Sequence, residues 1–232
     1  MTENYELGID VSHWQGVMDW GKAKDAGVKF SMIKMTEGES YFDDKFITNW
    51  TACQRLGITA GCYHFVRSDI EAAKQFRWIK AKLPSLADFD LALDCEPHSN
   101  QQSAQKTTNI IISLSNMLAD YIGRRPVIYT NQSFGNLLLP WSEWVNHKLW
   151  IASWTTGSAP YMPRHWSDWY MWQYKVHSPG SDYGAVQSTS IDVNRKRAVA
   201  PEPEPTEDVT ADIQVVVNGI RYSGTAVLHK QV

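Results

Sequence analysis

Thr59-Ala60-Gly61-Cys62-Tyr63-His64-Phe65 and Leu91-Ala92-Leu93-Asp94-Cys95-Glu96-Pro97 are two short β-type runs separated by Ile70–Lys82, a stretch that reads as a helix. Strand, helix, strand is the unit of a parallel sheet, because parallel neighbours need a crossover that a helix supplies. The same alternation extends to both sides. Leu7–Ser12 and Phe30–Thr36 precede it as strands, with Trp20–Ala26 and Asp43–Leu56 as helices, the second ending at a C′ glycine, Gly57. Thr107–Ile122 follows as a helix whose Ile110, Ile111, Leu114, Leu118 and Ile122 lie close to one face. Pro126–Asn131, Leu149–Trp154, Tyr170–Tyr174 and Ser190–Asn194 are four further strands. Eight such strands predict a closed α/β barrel, since closure removes exposed edges. The later connections are too short or too rich in Pro and Trp for full helices, so the barrel is expected to be irregular, complete near its start and poor in helices toward its end.

The barrel is expected to occupy residues 1–198. Residues 199–210, with Pro201-Glu202-Pro203-Glu204-Pro205, read as an extended linker, and 211–232 as a small β-hairpin appendage turning at Asn218-Gly219. A lone hairpin is barely stable in water. Docking on the barrel, self-association through the hairpin and partial disorder are the outcomes the sequence leaves open.

The net charge of −3 lies entirely in the tail: residues 1–198 carry 20 basic and 20 acidic side chains, and the last 34 carry 2 and 5. A neutral body offers no attraction to phosphates, so no nucleic-acid partner is expected. No run of about 18 apolar residues occurs, so no membrane span is expected. The odd number of cysteines, three, excludes complete intrachain pairing and favours reduced thiols. The acidic N-terminus lacks a basic n-region and an apolar h-region, which predicts synthesis in the cytoplasm without an export signal of its own. Eleven Trp and ten Tyr fit a ligand with flat apolar faces, such as a sugar or a base, and equally a large core.

Asp94 and Glu96 stand two apart on one strand and so share a face. Two carboxylates that close resist joint ionisation, which raises one pKa and keeps a proton available for a glycosidic oxygen. Asp10 and Asp192 occupy similar strand-end positions on the first and last strands, which are neighbours in a closed barrel. A single strand-end Asp is ordinarily a turn or cap residue; four together indicate a site.

In order along residues 7–197, several segments resemble the lysozymes of glycoside hydrolase family 25, the Chalaropsis-type muramidases that include many bacteriophage endolysins. They are Gly8-Ile9-Asp10-Val11-Ser12-His13-Trp14-Gln15-Gly16, Lys34-Met35-Thr36-Glu37-Gly38, Gly61-Cys62-Tyr63-His64-Phe65, Leu93-Asp94-Cys95-Glu96, Tyr129-Thr130-Asn131, Leu149-Trp150-Ile151-Ala152, Trp172-Gln173-Tyr174 and Asp192-Val193-Asn194. The resemblance implies a TIM-like (β/α)5(β)3 barrel that hydrolyses the β-1,4 bond between N-acetylmuramic acid and N-acetylglucosamine in peptidoglycan. It implies Glu96 as general acid/base, Asp94 orienting the substrate's 2-acetamido group, and Asp10 and Asp192 completing an acidic floor. Retention through the acetamido group would need no metal, no cofactor and no protein nucleophile; direct attack by Asp10 or Asp94 stays open. Tyr63, Tyr129, Trp154, Gln173 and Tyr174 are the expected glycan contacts, each of them also a reasonable core residue. If Tyr63 faces inward, Cys62 and His64 face the helices, which makes His64 structural. Two competing readings are a non-catalytic glycan-binding barrel and a zinc amidase, although the seven histidines show no ligand-like grouping.

Overall fold

The computed structural model describes residues 5–84 and 89–197, and the backbone of 209–217 and 220–228. Eight strands close into a barrel: β1 (Tyr5–Val11), β2 (Phe30–Glu37), β4 (Thr59–Phe65), β5 (Leu91–Asp94), β6 (Val127–Asn131), β7 (Leu149–Ala152), β8 (Met171–Pro179) and β9 (Ser190–Arg197). A two-residue strand, β3 (Tyr41–Phe42), adds to the end of β2. Helices α1 (Trp20–Asp25), α2 (Phe46–Leu56), α3 (Ala72–Lys82), α4 (Ala104–Ile122) and α5 (Gln132–Leu137) connect the first strands. Gly57 has the left-handed φ of 70° expected of a C′ residue, and its N–H closes on the carbonyls of Cys53 and Gln54. Among the described residues no helix is long and apolar enough to cross a membrane.

The sequence pattern predicts a uniformly parallel sheet, and one strand departs from it. β9 runs antiparallel to both β8 and β1, while β1, β2, β4, β5, β6, β7 and β8 are parallel. Only a short turn with a 3₁₀ helix at Gly180–Tyr183 joins β8 to β9. No crossover helix is present there, so the chain can only double back. Pairing of Asp10 with Asp192 across β1 and β9 closes the barrel.

Side-chain alternation divides the apolar residues into two cores. Inside the barrel lie Phe30, Met32, Ala92, Val127, Trp150 and Met171. Outside it, Ile9, Ile33, Leu91, Leu93, Ile128 and Ile151 meet helix residues such as Phe46, Ile79, Ile111 and Leu114. Glycine is required where the interior is tightest: a Cβ on Gly8 would stand 2.3 Å from the Phe30 ring, and one on Gly61 2.5 Å from Met32 Sδ. Cys53, Cys62 and Cys95 are buried free thiols in the outer core. His64 also faces outward, between Thr36 (2.9 Å) and Gln75 of α3 (3.0 Å), and burial lowers its pKa to about 4.

The chain divides into two compact units on either side of Arg197. In the second, strands β10 (Val209–Val217) and β11 (Ile220–Leu228) pair antiparallel. The expected turn at Asn218-Gly219 and the Pro/Glu run at 201–205 lie outside the described residues.

Candidate active site

Interior positions of the strands are apolar toward the base of the barrel and carboxylic toward the ends from which the helices depart. β1 carries Asp10, β5 ends on Asp94, and Glu96 follows two residues on. Asp192 lies near the start of β9, and because that strand runs backwards its start is at the same mouth. The four acids line one cleft of about 310 Å³ together with Tyr63, Tyr129, Trp150, Trp154, Gln173, Trp14 and His177. Eight of the nine expected site residues therefore meet there.

Tyr174 is the exception. Gln173 enters the cleft, so its neighbour on β8 points to the opposite side, where Tyr174 packs half-buried beside Trp172 and Arg195. The glycan contact expected of Tyr174 is corrected accordingly: its ring belongs to the outer core.

A fixed set of donors holds the acids. Asp10 Oδ2 accepts from Asn194 Nδ2 (2.7 Å) and Gln173 Nε2 (2.9 Å). Asn194 is itself oriented by Trp150 Nε1 (2.7 Å), and Gln173 Oε1 receives Tyr129 OH (3.1 Å) and Trp154 Nε1 (3.3 Å). The backbone N–H of His177 donates to Asp192 Oδ1 at 3.2 Å. His177 has φ of 53°, in the left-handed region, within a stretch of β8 whose register slips twice against β9. Bulges of this kind re-aim a strand next to a site. Within the acid cluster, the buried Asp94 Oδ1 has no hydrogen-bond partner.

All four carboxyls are raised above their ordinary range. Burial pushes Asp10 up to about 7, with the Asp192 charge adding to it. Burial and then Glu96 hold Asp94 well up. Glu96 is raised by burial, with Lys34 opposing and Asp192 reinforcing. Asp192 is raised by burial against its bond from His177. Lys34 pairs with Glu37 at 2.9 Å, and Arg67 reaches the other Glu37 oxygen at 3.4 Å. Burial pushes the phenols of Tyr63 and Tyr129 well up, so both are neutral donors.

Several functional residues were not singled out from the sequence. Asn194 lies inside a quoted motif, but only the fold shows that its amide serves Asp10. Trp14 is 76% exposed at the cleft's edge, where Ser12 caps its short 3₁₀ helix; an exposed Trp after an acidic strand end was the available signal. Nothing local marks His177, whose role comes from its backbone. The other histidines among the described residues point to separate partners, His13 to Asp43, His98 to Ser68, His147 to Ser115 and His165 to the Leu138 carbonyl. Among the described residues no cluster of three or more His, Cys, Asp or Glu side chains is arranged to hold a metal.

Comparison with known proteins agrees with this geometry. The family model for glycosyl hydrolases family 25 matches residues 9–182. The chain is 34% identical over 206 residues to lysozyme M1 of Streptomyces globisporus, covering 82% of this chain and 66% of that protein, about two thirds of its length. It is 28% identical over 134 residues to an N,O-diacetylmuramidase of Arthroderma benhamiae, covering 53% of this chain and 57% of that one. A crystal structure of the bacterial lysozyme from Streptomyces coelicolor superposes with a TM-score of 0.74 at 30% identity, covering 84% of this chain and 93% of that one. With the family model spanning most of the barrel and these relatives alongside it, the chain belongs to glycosyl hydrolase family 25.

Proposed function

We propose that the chain is a retaining muramidase that uses its substrate's own acetamido group as nucleophile. The observation that carries this reading is the acidic cleft, in which burial raises Glu96 above its ordinary range and the buried Asp94 Oδ1 lacks any partner. A buried acceptor without a partner costs about 1–3 kcal/mol, which a ligand N–H relieves. An acetamido N–H meets that need. Seated on Asp94 it stabilises the carboxylate and turns the acetamido carbonyl oxygen toward the anomeric carbon.

Glu96 then donates its proton to the glycosidic oxygen as the bond from that oxygen to C1 breaks. The acetamido oxygen bonds to C1 in its place, giving a bicyclic oxazolinium ion. Positive charge growing at the sugar ring draws Asp10 and Asp192 toward their ionised forms, which offsets that charge. Water next attacks C1 as the bond from C1 to the acetamido oxygen breaks, and gives its proton to the Glu96 carboxylate, restoring the acetamido group, the acid and the original anomeric configuration. Gln173 and Asn194 keep Asp10 aimed at the ring throughout.

Turbidity loss of purified peptidoglycan tests the reading, with mass spectrometry of the fragments. Wild type should clear the suspension and release new reducing-end muramic acid, and Glu96→Gln should lower the rate by about 10²–10⁴-fold. Glycans with N-deacetylated muramic acid should resist cleavage, since they lack the nucleophile. Unchanged clearing by Glu96→Gln, or reducing-end glucosamine as the product, would overturn it.

A further inference from the structure

A second groove of about 430 Å³ lies against the catalytic cleft, lined by Pro97, Phe134, Leu137, Ala152, Trp154 and Tyr161 among others. Only a thin wall separates the two. Trp154 lines both, and Glu96 in the cleft is followed directly by Pro97 in the groove. Leu137, Trp154 and Tyr161 are 62%, 60% and 63% exposed, so three large apolar side chains converge on this one surface. Such convergence marks an interaction site more often than scattered exposure does.

The groove also has a definite chemistry. No charged side chain lines it. Three of its polar side chains are committed within the protein: Asn131 Oδ1 accepts from the Phe134 N–H, Gln132 Nε2 donates to the Met162 carbonyl, and Ser153 Oγ accepts from the Tyr161 N–H. With the hydroxyls of Ser133 and Tyr161, the rest is a mainly aliphatic and aromatic surface that suits a small uncharged group and disfavours a carboxylate.

We propose that this groove receives the start of the peptide stem of peptidoglycan, the lactyl ether on muramic acid and the first small amino acid attached to it. The inference rests on the muramidase reading, and continuity is the reason for choosing this occupant. The lactyl group is borne on the ring carbon next to the one carrying the acetamido group. A muramic acid held with its acetamido group on Asp94 therefore sends its stem out of the cleft close to the reacting centre. The groove next to Glu96 offers apolar contact for the uncharged start of the stem, and the acidic residues further along it emerge into water.

Soluble glycan fragments are cleaved with stems intact or after an amidase has removed the peptide. Wild type should prefer stem-bearing fragments by about tenfold in kcat/KM, the scale of burying roughly 50–60 Å² of apolar surface. The double variant Leu137→Ser/Tyr161→Ser should lose that preference while keeping its rate on stripped glycan. Both side chains are exposed, so the fold should tolerate the change; thermal unfolding of the variant checks this. Leu137→Ala alone, a milder change, should lose part of the preference. Equal wild-type rates on the two substrates, or an equal loss on both in the variants, would overturn the groove assignment and leave the muramidase standing. Failure of wild type to cleave either substrate would overturn both.

Discussion

Replacing Asp10 by Asn should make the protein more stable, by an amount that grows with pH. Asp10 carries a pKa of about 7 in the folded chain against an ordinary 3.8, chiefly because burial penalises its charge and Asp192 repels it. At about 1.36 kcal/mol per pH unit, that difference corresponds to about 4 kcal/mol. The sign follows from proton counting. Between pH 4 and 7 the folded protein holds a proton that the unfolded chain has released, so folding loses stability as pH rises through this window. Above pH 7 the full cost is present. The amide is nearly isosteric, and its oxygen can accept from Asn194 and Gln173 as Oδ2 does now. Urea unfolding followed by tryptophan fluorescence at several pH values measures the gap. Asn at position 10 should be favoured by about 4 kcal/mol at pH 8 and by less than about 2 kcal/mol at pH 5. His64, held neutral by burial, titrates alike in both proteins and drops out of the difference. A gap that is absent at pH 8, or that widens toward pH 5, would refute the idea that the acid cluster is strained by its own charge.

Lys34→Met should move the alkaline limb of the pH–rate profile upward, because the Lys34 charge lowers the pKa of Glu96 and its loss lets Glu96 keep its proton longer; a limb that stays put or moves down would show that Lys34 does not reach Glu96. Glu37 keeps Arg67 as a partner in that variant, so the fold should hold. Trp14→Ala should raise KM several-fold with little change in kcat, as expected for an exposed ring that binds glycan away from the reacting bond; a loss confined to kcat would place Trp14 at the chemistry instead.

Much of this architecture was legible in the sequence because its signals are local. β4 runs from Thr59 to Phe65 as its β-rich composition indicates, and Gly57 ends α2 because only a residue at ease with positive φ fits there. Alternation alone sets Tyr63 and His64 on opposite faces, and the structure puts Tyr63 inside. Alternation also gave Asp94 and Glu96 a common face and, through closure, brought Asp10 beside Asp192. Other features do not show in the apolar period. α4 begins at Ala104 rather than Thr107 because Ser103 caps it at the Lys106 N–H, ahead of the first periodic apolar residue. α2 begins at Phe46 rather than Asp43 because the Asp43 carboxylate is drawn to His13 on the loop after β1. α5 is one short turn after Asn131, too brief to show a period. Tyr174 was misplaced because a run of three attractive residues, Trp172-Gln173-Tyr174, can present only its middle member to the cleft.

The reversal of β9 links fold to chemistry. In a uniformly parallel barrel, a residue near the start of the last strand would face the opposite mouth. Asp192 lies near the start of β9, yet it meets Asp10 at the catalytic mouth because the strand runs backwards. The same reversal brings Asn194, two residues further along, below Asp192, where it donates to Asp10 and accepts from Trp150. A fourth acid and its nearest organiser are thus delivered by one short return strand with no crossover helix. The repulsion this creates is tolerable because the barrel wall separates it from the main source of stability. The acids lie over the small interior core of Phe30, Met32, Ala92 and Met171. Most of the buried apolar side chains lie outside the wall, where strands meet helices; Glu96 borders them beside Val66, Cys95, Ile111 and Phe134, whereas Asp10 and Asp192 line the interior cleft. Neutralising Asp10 should therefore release strain at the mouth without loosening the packing that holds the barrel closed.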